Sequence, residues 1–274
     1  MQIAIAHPAL ATDRLDELFV RAKQIGADGV EVHYASAAIA TALNDPEHAA
    51  ELKQAAAGAD LAVAGLCLDC FCTEPALIGR PEMIGRSQHV LLGAMGTAGQ
   101  AGARRVAVPF FGKNAIEVDD EFDRAANALL EMIDHAEEAG VVLAIESTLA
   151  SHQQENLLTH LGNTAESGIY YNTAVALSRK YDLATGIRHL GPDAIAQVRF
   201  RDVRIAEAAP PDFDVPLGEG NVDFHTVAMA LRAVSFDGWV VVEPPHAEDE
   251  ARALPAAEAA VRFTRAVLED ATAQ

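Results

Sequence analysis

Eight short runs of aliphatic and β-branched residues, spaced along the whole chain, constrain this sequence more than any other feature. They are QIAIA (2–6), GVEVH (29–33), LAVAGLC (61–67), RRVAVP (104–109), VVLAIE (141–146), GIYYN (168–172), AQVRFRD (196–202) and GWVVVE (238–243). Several are apolar almost throughout, as parallel strands buried on both faces must be. Parallel strands need a crossover of a dozen or more residues, and each gap here accommodates one helix. Helical periodicity fills these gaps. DELFVRAKQI stops at Gly26, FDRAANALLEMIDHAEEAG ends at Gly140, VDFHTVAMALRAVSFDG leads into the eighth run, and AEAAVRFTRAVLED closes the series. IGADGVEV, QAGARRVAV and EEAGVVLAI repeat one form: a helix end, a glycine suited to a left-handed C-cap, then a strand. Eight such units predict an α/β chain folded as a single-domain (β/α)8 TIM barrel over 1–274. An open doubly wound sheet is the rival, but it usually carries a glycine-rich phosphate loop after strand one, where this chain has HPALATD.

Half the residues are hydrophobic, so a large core is available. Forty acidic against 20 basic residues give a formal charge of −20. That surface repels phosphate backbones and anionic headgroups, which argues against nucleic-acid and membrane partners. MQIAIAHPAL lacks the basic start and long apolar run of a signal peptide, and no stretch approaches the ~20 apolar residues of a bilayer span. Cys67, Cys70 and Cys72 are too few and too close to be a disulfide framework, which fits a reducing cytoplasm. A zinc site wants four ligands, and no second Cys or His pair stands at the usual spacing, so small-residue packing is the better reading.

A barrel of this kind builds its site from residues at the carboxyl ends of its strands. Here those are His7, Glu31 with His33, the Cys67/Asp69/Cys70 group, Glu146, Asn172, Arg199, Arg201 with Asp202, and Glu243 with His246. Period-two alternation puts Glu31 with His33, and Arg199 with Arg201, on one side of their strands. Arg201 has Asp202 and Glu219 as candidate ion-pair partners. His7 and His246 flank strands one and eight, and His152 follows strand five. The remaining histidines fall in helical or connecting segments and read as structural, and Phe110-Phe111 as a packed loop.

GADGVEVHY, AGVVLAIES, VRFRD and PLGEGNVDFHTVAMALRAVSFDGWVVVEP together resemble the xylose isomerase-like TIM barrels, a family of sugar phosphate isomerases and epimerases. The last stretch is the most specific, through its Gly-Glu-Gly turn, Val-Asp-Phe helix start and Asp-Gly-Trp strand entry. The resemblance implies one divalent metal (Mn²⁺, Mg²⁺ or Co²⁺) held by Glu, Asp, His and Glu on strands five to eight. Glu146 and Glu243 match the outer two positions, Asn172 stands for the Asp, Val175 replaces a His often found three residues on, and Arg199 stands for the strand-seven His. It also implies a small carbohydrate substrate, a homodimer or homotetramer, and a substrate contact near His152. Asn is a feasible oxygen ligand, whereas an arginine guanidinium offers no lone pair. Glu146, Glu243 and Asn172 are therefore the metal candidates, and Arg199 is the candidate to replace the ion electrostatically by bridging the two acids.

Glu146 and Glu243 are the candidate catalytic acids, with Arg199, Arg201, Asn172, His7, Glu31, His33, His152 and His246 as substrate contacts. Two carboxylates around a fixed cation suit proton transfer at the carbon next to a carbonyl, hence isomerisation or epimerisation of a sugar or keto acid. Loss of water by a dehydratase or lyase uses the same groups. A non-catalytic, sugar-binding relative predicts a closed pocket with both acids ion-paired to Arg199. Abasic-site DNA repair on this fold needs a His-rich trinuclear metal site and a DNA-facing surface, and this chain offers neither.

Overall fold

Every one of the eight runs forms a strand in the computed structural model, which describes residues 1–207, 209–247 and 249–271. The strands are β1 Gln2–Ala6, β2 Gly29–His33, β3 Ala62–Cys67, β4 Arg105–Phe110, β5 Val142–Ser147, β6 Ser167–Asn172, β7 Ile195–Phe200 and β8 Trp239–Val242. They pair in parallel in sequence order, and β8 closes on β1 from Gln2 opposite Trp239 to Ile5 opposite Val242. The result is a TIM barrel. Helices Leu15–Gln24, Pro46–Gly58, Pro81–Ala101, Ser151–His160, Leu183–Ala194, Phe224–Ala233 and Glu250–Asp270 return the chain between strands or close it after β8. After β4 the predicted single helix is two, Asp119–Leu130 and Ile133–Ala139. The turn tightens where Met132 N–H donates to Leu129 O at 2.8 Å. No helix among the described residues is long and apolar enough to cross a membrane.

Alternation sorts each strand into two layers. Ile3, Ile5, Val30, Val106, Val108, Leu143, Ile145, Val198, Val240 and Val242 face outward and join the core packed by the helices. Inside the barrel, Ala4, Ala6, Ala64, Ala107 and Ala144 form a second cluster with Cys67, Tyr170, Trp239 and Val241. The alanines keep four strands thin on the inside, leaving room for Tyr170, Trp239 and the buried polar groups above them. Two register shifts, between Val30 and Glu31 and between Ile169 and Tyr170, fall next to buried residues that point inward. Irregularities of this kind re-aim side chains near sites.

Past β7 the chain makes an excursion before the helix Phe224–Ala233, and Asp202 holds it down. Its fully buried carboxylate accepts backbone N–H bonds from Val203 (2.8 Å) and Val222 (3.1 Å) at one oxygen and from Gly218 and Gly220 (both 2.9 Å) at the other. This explains the Gly-Glu-Gly turn. Gly218 sits at φ +86°, and a Cβ on Gly220 would collide with the Asp202 carboxylate. Asp202 is thus a loop clasp rather than the partner of Arg201.

Replacing Asp202 with Ala leaves buried N–H groups unpaired, at about 1–3 kcal/mol each. A melting temperature lower by roughly 10 °C is expected, at about 2–4 °C per kcal/mol for a chain this size. Gly220→Ala should lower it in the same direction, and calorimetry showing either variant unshifted would remove the clasp.

Candidate active site

The centre of the barrel mouth is the guanidinium of Arg199, only 5 % exposed. Its Nη1 donates to Glu243 Oε2 at 2.5 Å and its Nη2 to Glu31 Oε2 at 2.8 Å, with Cys67 Sγ 3.7 Å away. Nε donates to the Tyr170 hydroxyl at 3.0 Å and lies 3.3 Å from Glu146 Oε1. The guanidinium carbon also stands 4.6 Å from the centre of the Tyr170 ring. Glu146 and Glu243, predicted to flank the site, are therefore on either side of one arginine.

The two buried glutamates differ in how well they are served. Glu31 accepts from Arg199, from His33 Nε2 (3.0 Å), from Tyr170 OH (3.1 Å) and, on its other oxygen, from Gln197 Nε2 (2.7 Å). Burial pushes its pKa up, but Arg199 and then His33 outweigh burial and hold it below the usual carboxylate value. Glu146 accepts one hydrogen bond, from Asn172 Nδ2 at 2.8 Å, beside its longer contact with Arg199. There burial prevails over Arg199 and Asn172 and raises the pKa to about 7. A protonated Glu146 also balances the cluster: Arg199, Arg201 and protonated His33 then face Glu31, Asp69 and Glu243.

His33 is clamped between Glu31 and Asp69, whose Oδ2 lies 2.6 Å from Nδ1. Burial alone lowers an imidazolium pKa, but Asp69 and then Glu31 reverse this and raise it to about 10. The same contact draws Asp69 well below the usual range despite burial. Cys67 points its thiol at Asp69 Oδ1, 3.3 Å away, and burial followed by Asp69 keeps it protonated. All three cysteines are free. Arg201, one-third exposed, pairs with Glu243 Oε1 at 2.9 Å, not with Asp202 or Glu219, and lies over Phe213 at 5.3 Å. Thr173 ties the ends of β6 and β7, donating to Arg201 O at 2.7 Å.

The structure does not gather every candidate. His7 lies beside His33, accepting its N–H at Nδ1 (3.4 Å) with Nε2 2.8 Å from Thr12 O, and burial lowers its pKa. His7, His33 and His246 line a cleft of about 1260 Å³ with Tyr34, His48 and Glu51, beside the acid cluster rather than over it. His152 is exposed on the helix Ser151–His160 and takes no part in the cluster. Sequence reasoning passed over Tyr170 and Gln197, although each stands two residues before a singled-out position, Asn172 or Arg199, and so shares its inward face.

The expected metal ligands do not fit an ion here. Asn172 turns its Nδ2 to Glu146 and its Oδ1 to the Val175 N–H (3.1 Å). Arg199 occupies the space between the two acids and has no lone pair to give. Glu31, His33 and Cys67 do bring ligand atoms within 4.8 Å of one another. Both nitrogens of His33 are, however, held by carboxylates, at 2.6 Å from Asp69 and 3.0 Å from Glu31.

Because the native state holds a proton on His33 up to about pH 10, while an unfolded histidine releases it near 6.5, stability should fall as pH rises between these values. His33→Gln should flatten that slope in denaturant titrations at several pH values. An unaltered slope would detach it from His33. Arg199→Met leaves buried carboxylates without their cation, a loss of about 3–5 kcal/mol. That variant is expected to regain stability on acidification, as the acids take up protons. Equal destabilisation at pH 5 and pH 8 would contradict this.

The family model described as xylose isomerase-like TIM barrel matches residues 19–267. Among curated relatives, a 2-epi-5-epi-valiolone 7-phosphate 2-epimerase of Actinoplanes sp. is 31% identical over 147 residues, 53% of this chain and 52% of that protein. An inosose dehydratase of Lacticaseibacillus casei is 27% identical over 156 residues, 50% of this chain and 51% of that protein. The chain thus spans about half the length of the curated relatives it matches. In three dimensions it superposes on an L-ribulose 3-epimerase with a TM-score of 0.79 at 20% identity, covering 99% of this chain and 95% of that one. A 3-keto-D-glucoside 4-epimerase from E. coli gives 0.75 at 20% identity, covering 96% and 99%. The chain belongs to the xylose isomerase-like TIM barrel family.

Proposed function

We propose that the chain is an isomerase or epimerase of a small carbohydrate or hydroxy-keto acid, moving a proton at the carbon next to a carbonyl. The observation that carries this reading is Glu146, a buried carboxyl whose pKa is raised to about 7, with Glu243 across the Arg199 guanidinium. A catalytic acid works best when its pKa is near the working pH. Glu243, 18 % exposed, is the acid at the open side, and Arg201 beside it uses one terminal nitrogen on it. In the proposed cycle Glu243 removes the α-proton. The fixed positive charge of Arg199 stabilises the enediolate, and Glu146 supplies a proton to the neighbouring carbon or the opposite face. Reprotonation of Glu146 and release of the proton from Glu243 close the cycle. Arg201 stands beside Glu243 at the partly exposed side, His7 and His246 line the neighbouring cleft, and His33 with Asp69 and Glu31 hold the charged wall in place. Glu146 is 1 % exposed, so a substrate reaches it only when the rim parts.

Two further readings each have an observation behind them. A proton on Glu146 beside a cation is also what a departing hydroxide needs, which supports a dehydratase. The closed Glu146–Arg199–Glu243 bridge is the arrangement expected of a sugar-binding relative without catalysis. One experiment separates all three: incubation in D₂O with a panel of ketoses, inososes and hydroxy-keto acids. The epimerase reading expects deuterium at the carbon next to the carbonyl, and a dehydratase expects a new conjugated absorbance. Binding heat without either sinks both enzymatic readings. Glu146→Gln and Glu243→Gln should each lower exchange by at least about 100-fold. With Glu146 as the acid, kcat/KM should fall as pH rises through about 7, and Glu146→Gln should abolish that limb.

A further inference from the structure

We propose that Arg199 is a permanent replacement for the divalent cation of this site, so that the pocket binds no metal and meets an oxyanion through a guanidinium N–H. The four positions at the strand ends present two carboxylates, an amide and a guanidinium. The guanidinium reaches from Glu146 (3.3 Å at Nε) to Glu243 (2.5 Å at Nη1), filling the space between the acids. Neither neighbour is set to receive an ion. Asn172 donates to Glu146 with its nitrogen and caps Val175 with its oxygen. Glu243 sets each of its oxygens against an arginine, so an ion approaching its remaining lone pairs meets two positive charges. For an ion to enter, a buried arginine must leave three carboxylates, and a +1 charge already stands there to repel it.

The surroundings are built for an arginine rather than tolerant of one. Tyr170 accepts from Nε and lays its ring against the guanidinium, Glu31 takes Nη2, and Gln197, His33 and Tyr170 fix Glu31 in turn. Small residues line the barrel below, among them Ala4, Ala6, Ala64, Ala107 and Ala144. A guanidinium has five N–H donors. Tyr170, Glu243, Glu31 and the weaker Cys67 contact use four, leaving one N–H of Nη1 without a partner among the described residues. That donor lies beside Glu243, the acid that keeps some exposure, and is the one available to an incoming carbonyl or enediolate oxygen. The proposal concerns ion binding and stands whether or not the site catalyses a reaction.

Its test reads metal, not turnover. The protein is expected to carry no stoichiometric transition metal by elemental analysis, to give no binding heat with Mn²⁺ or Co²⁺, and to melt at the same temperature with Mn²⁺ or EDTA. The double variant Asn172→Asp/Arg199→His restores a four-ligand set. It should bind Mn²⁺ at least about 100-fold more tightly than the parent, followed by loss of the free-ion EPR signal. Stoichiometric Mn²⁺ or Co²⁺ on the parent, abolished by Glu146→Gln, overturns the proposal. So does a folded double variant that gains no affinity. Should the double variant fail to fold, the measurements on the parent decide alone.

Discussion

One buried guanidinium organises this barrel. Taking an arginine out of water costs several kcal/mol, and the cost is offset only where opposite charges and hydrogen bonds surround it closely. Arg199 meets that condition through residues on four strands and one strand end: Glu31 from β2, Cys67 from β3, Glu146 from β5, Tyr170 from β6, and Glu243 just past β8. The dependence runs both ways: without Arg199, Glu146 keeps only the Asn172 amide, Glu31 only His33 as a cation, and Glu243 only Arg201. It also fixes register. Slipping any of these strands by one residue turns its polar group out into the aliphatic layer and brings a valine or isoleucine in.

Around that centre, the protonation of each acid follows from the donors it can reach. Glu31 receives four hydrogen bonds, two of them from charged groups, and stays ionised at complete burial. Glu146, equally buried, has Asn172 and a longer approach to Arg199, and its pKa rises. An aspartate at position 172 would place a second acid against Glu146. The amide instead donates a proton-independent hydrogen bond, which suits a carboxyl group that changes its charge near neutrality. Asn172 therefore has a reason to be an asparagine in this pocket that concerns Glu146 alone.

The barrel was legible because its signal is redundant. Eight apolar runs and repeated helix–glycine–strand phrases point to the same closure, and strand ends agree with the sequence reading to within a residue or two. The cluster around Arg199 was legible where alternation and the family pattern coincide, at Glu146, Asn172, Arg199 and Glu243, which the structure brings into contact. It was less legible where residues far apart in the chain converge. Nothing near Glu31 announces that its partners are Gln197 and Arg199, 166 and 168 residues away. Asp202 looked like a partner for Arg201 because it is adjacent, but its carboxylate points outward into the loop amides, as alternation along β7 requires. His152 follows a strand end in sequence yet lies on the exposed face of a helix, because the first turn after β5 rotates it away.

The identity of the central cation also accounts for the shape of the mouth. A divalent ion bound by a few protein ligands keeps open positions for water or substrate, so its pocket stays wet and accessible. A guanidinium has a fixed number of donors in one plane, and here four of the five have protein partners. With so little left unsatisfied, the surrounding side chains close over Arg199, leaving it and Glu146 almost without exposure. The open space lies instead beside the cluster, along His7, His33 and His246. The one guanidinium N–H without a partner among the described residues is on Nη1, beside Glu243. Glu243 and Arg201, on that side of the cluster, remain partly exposed.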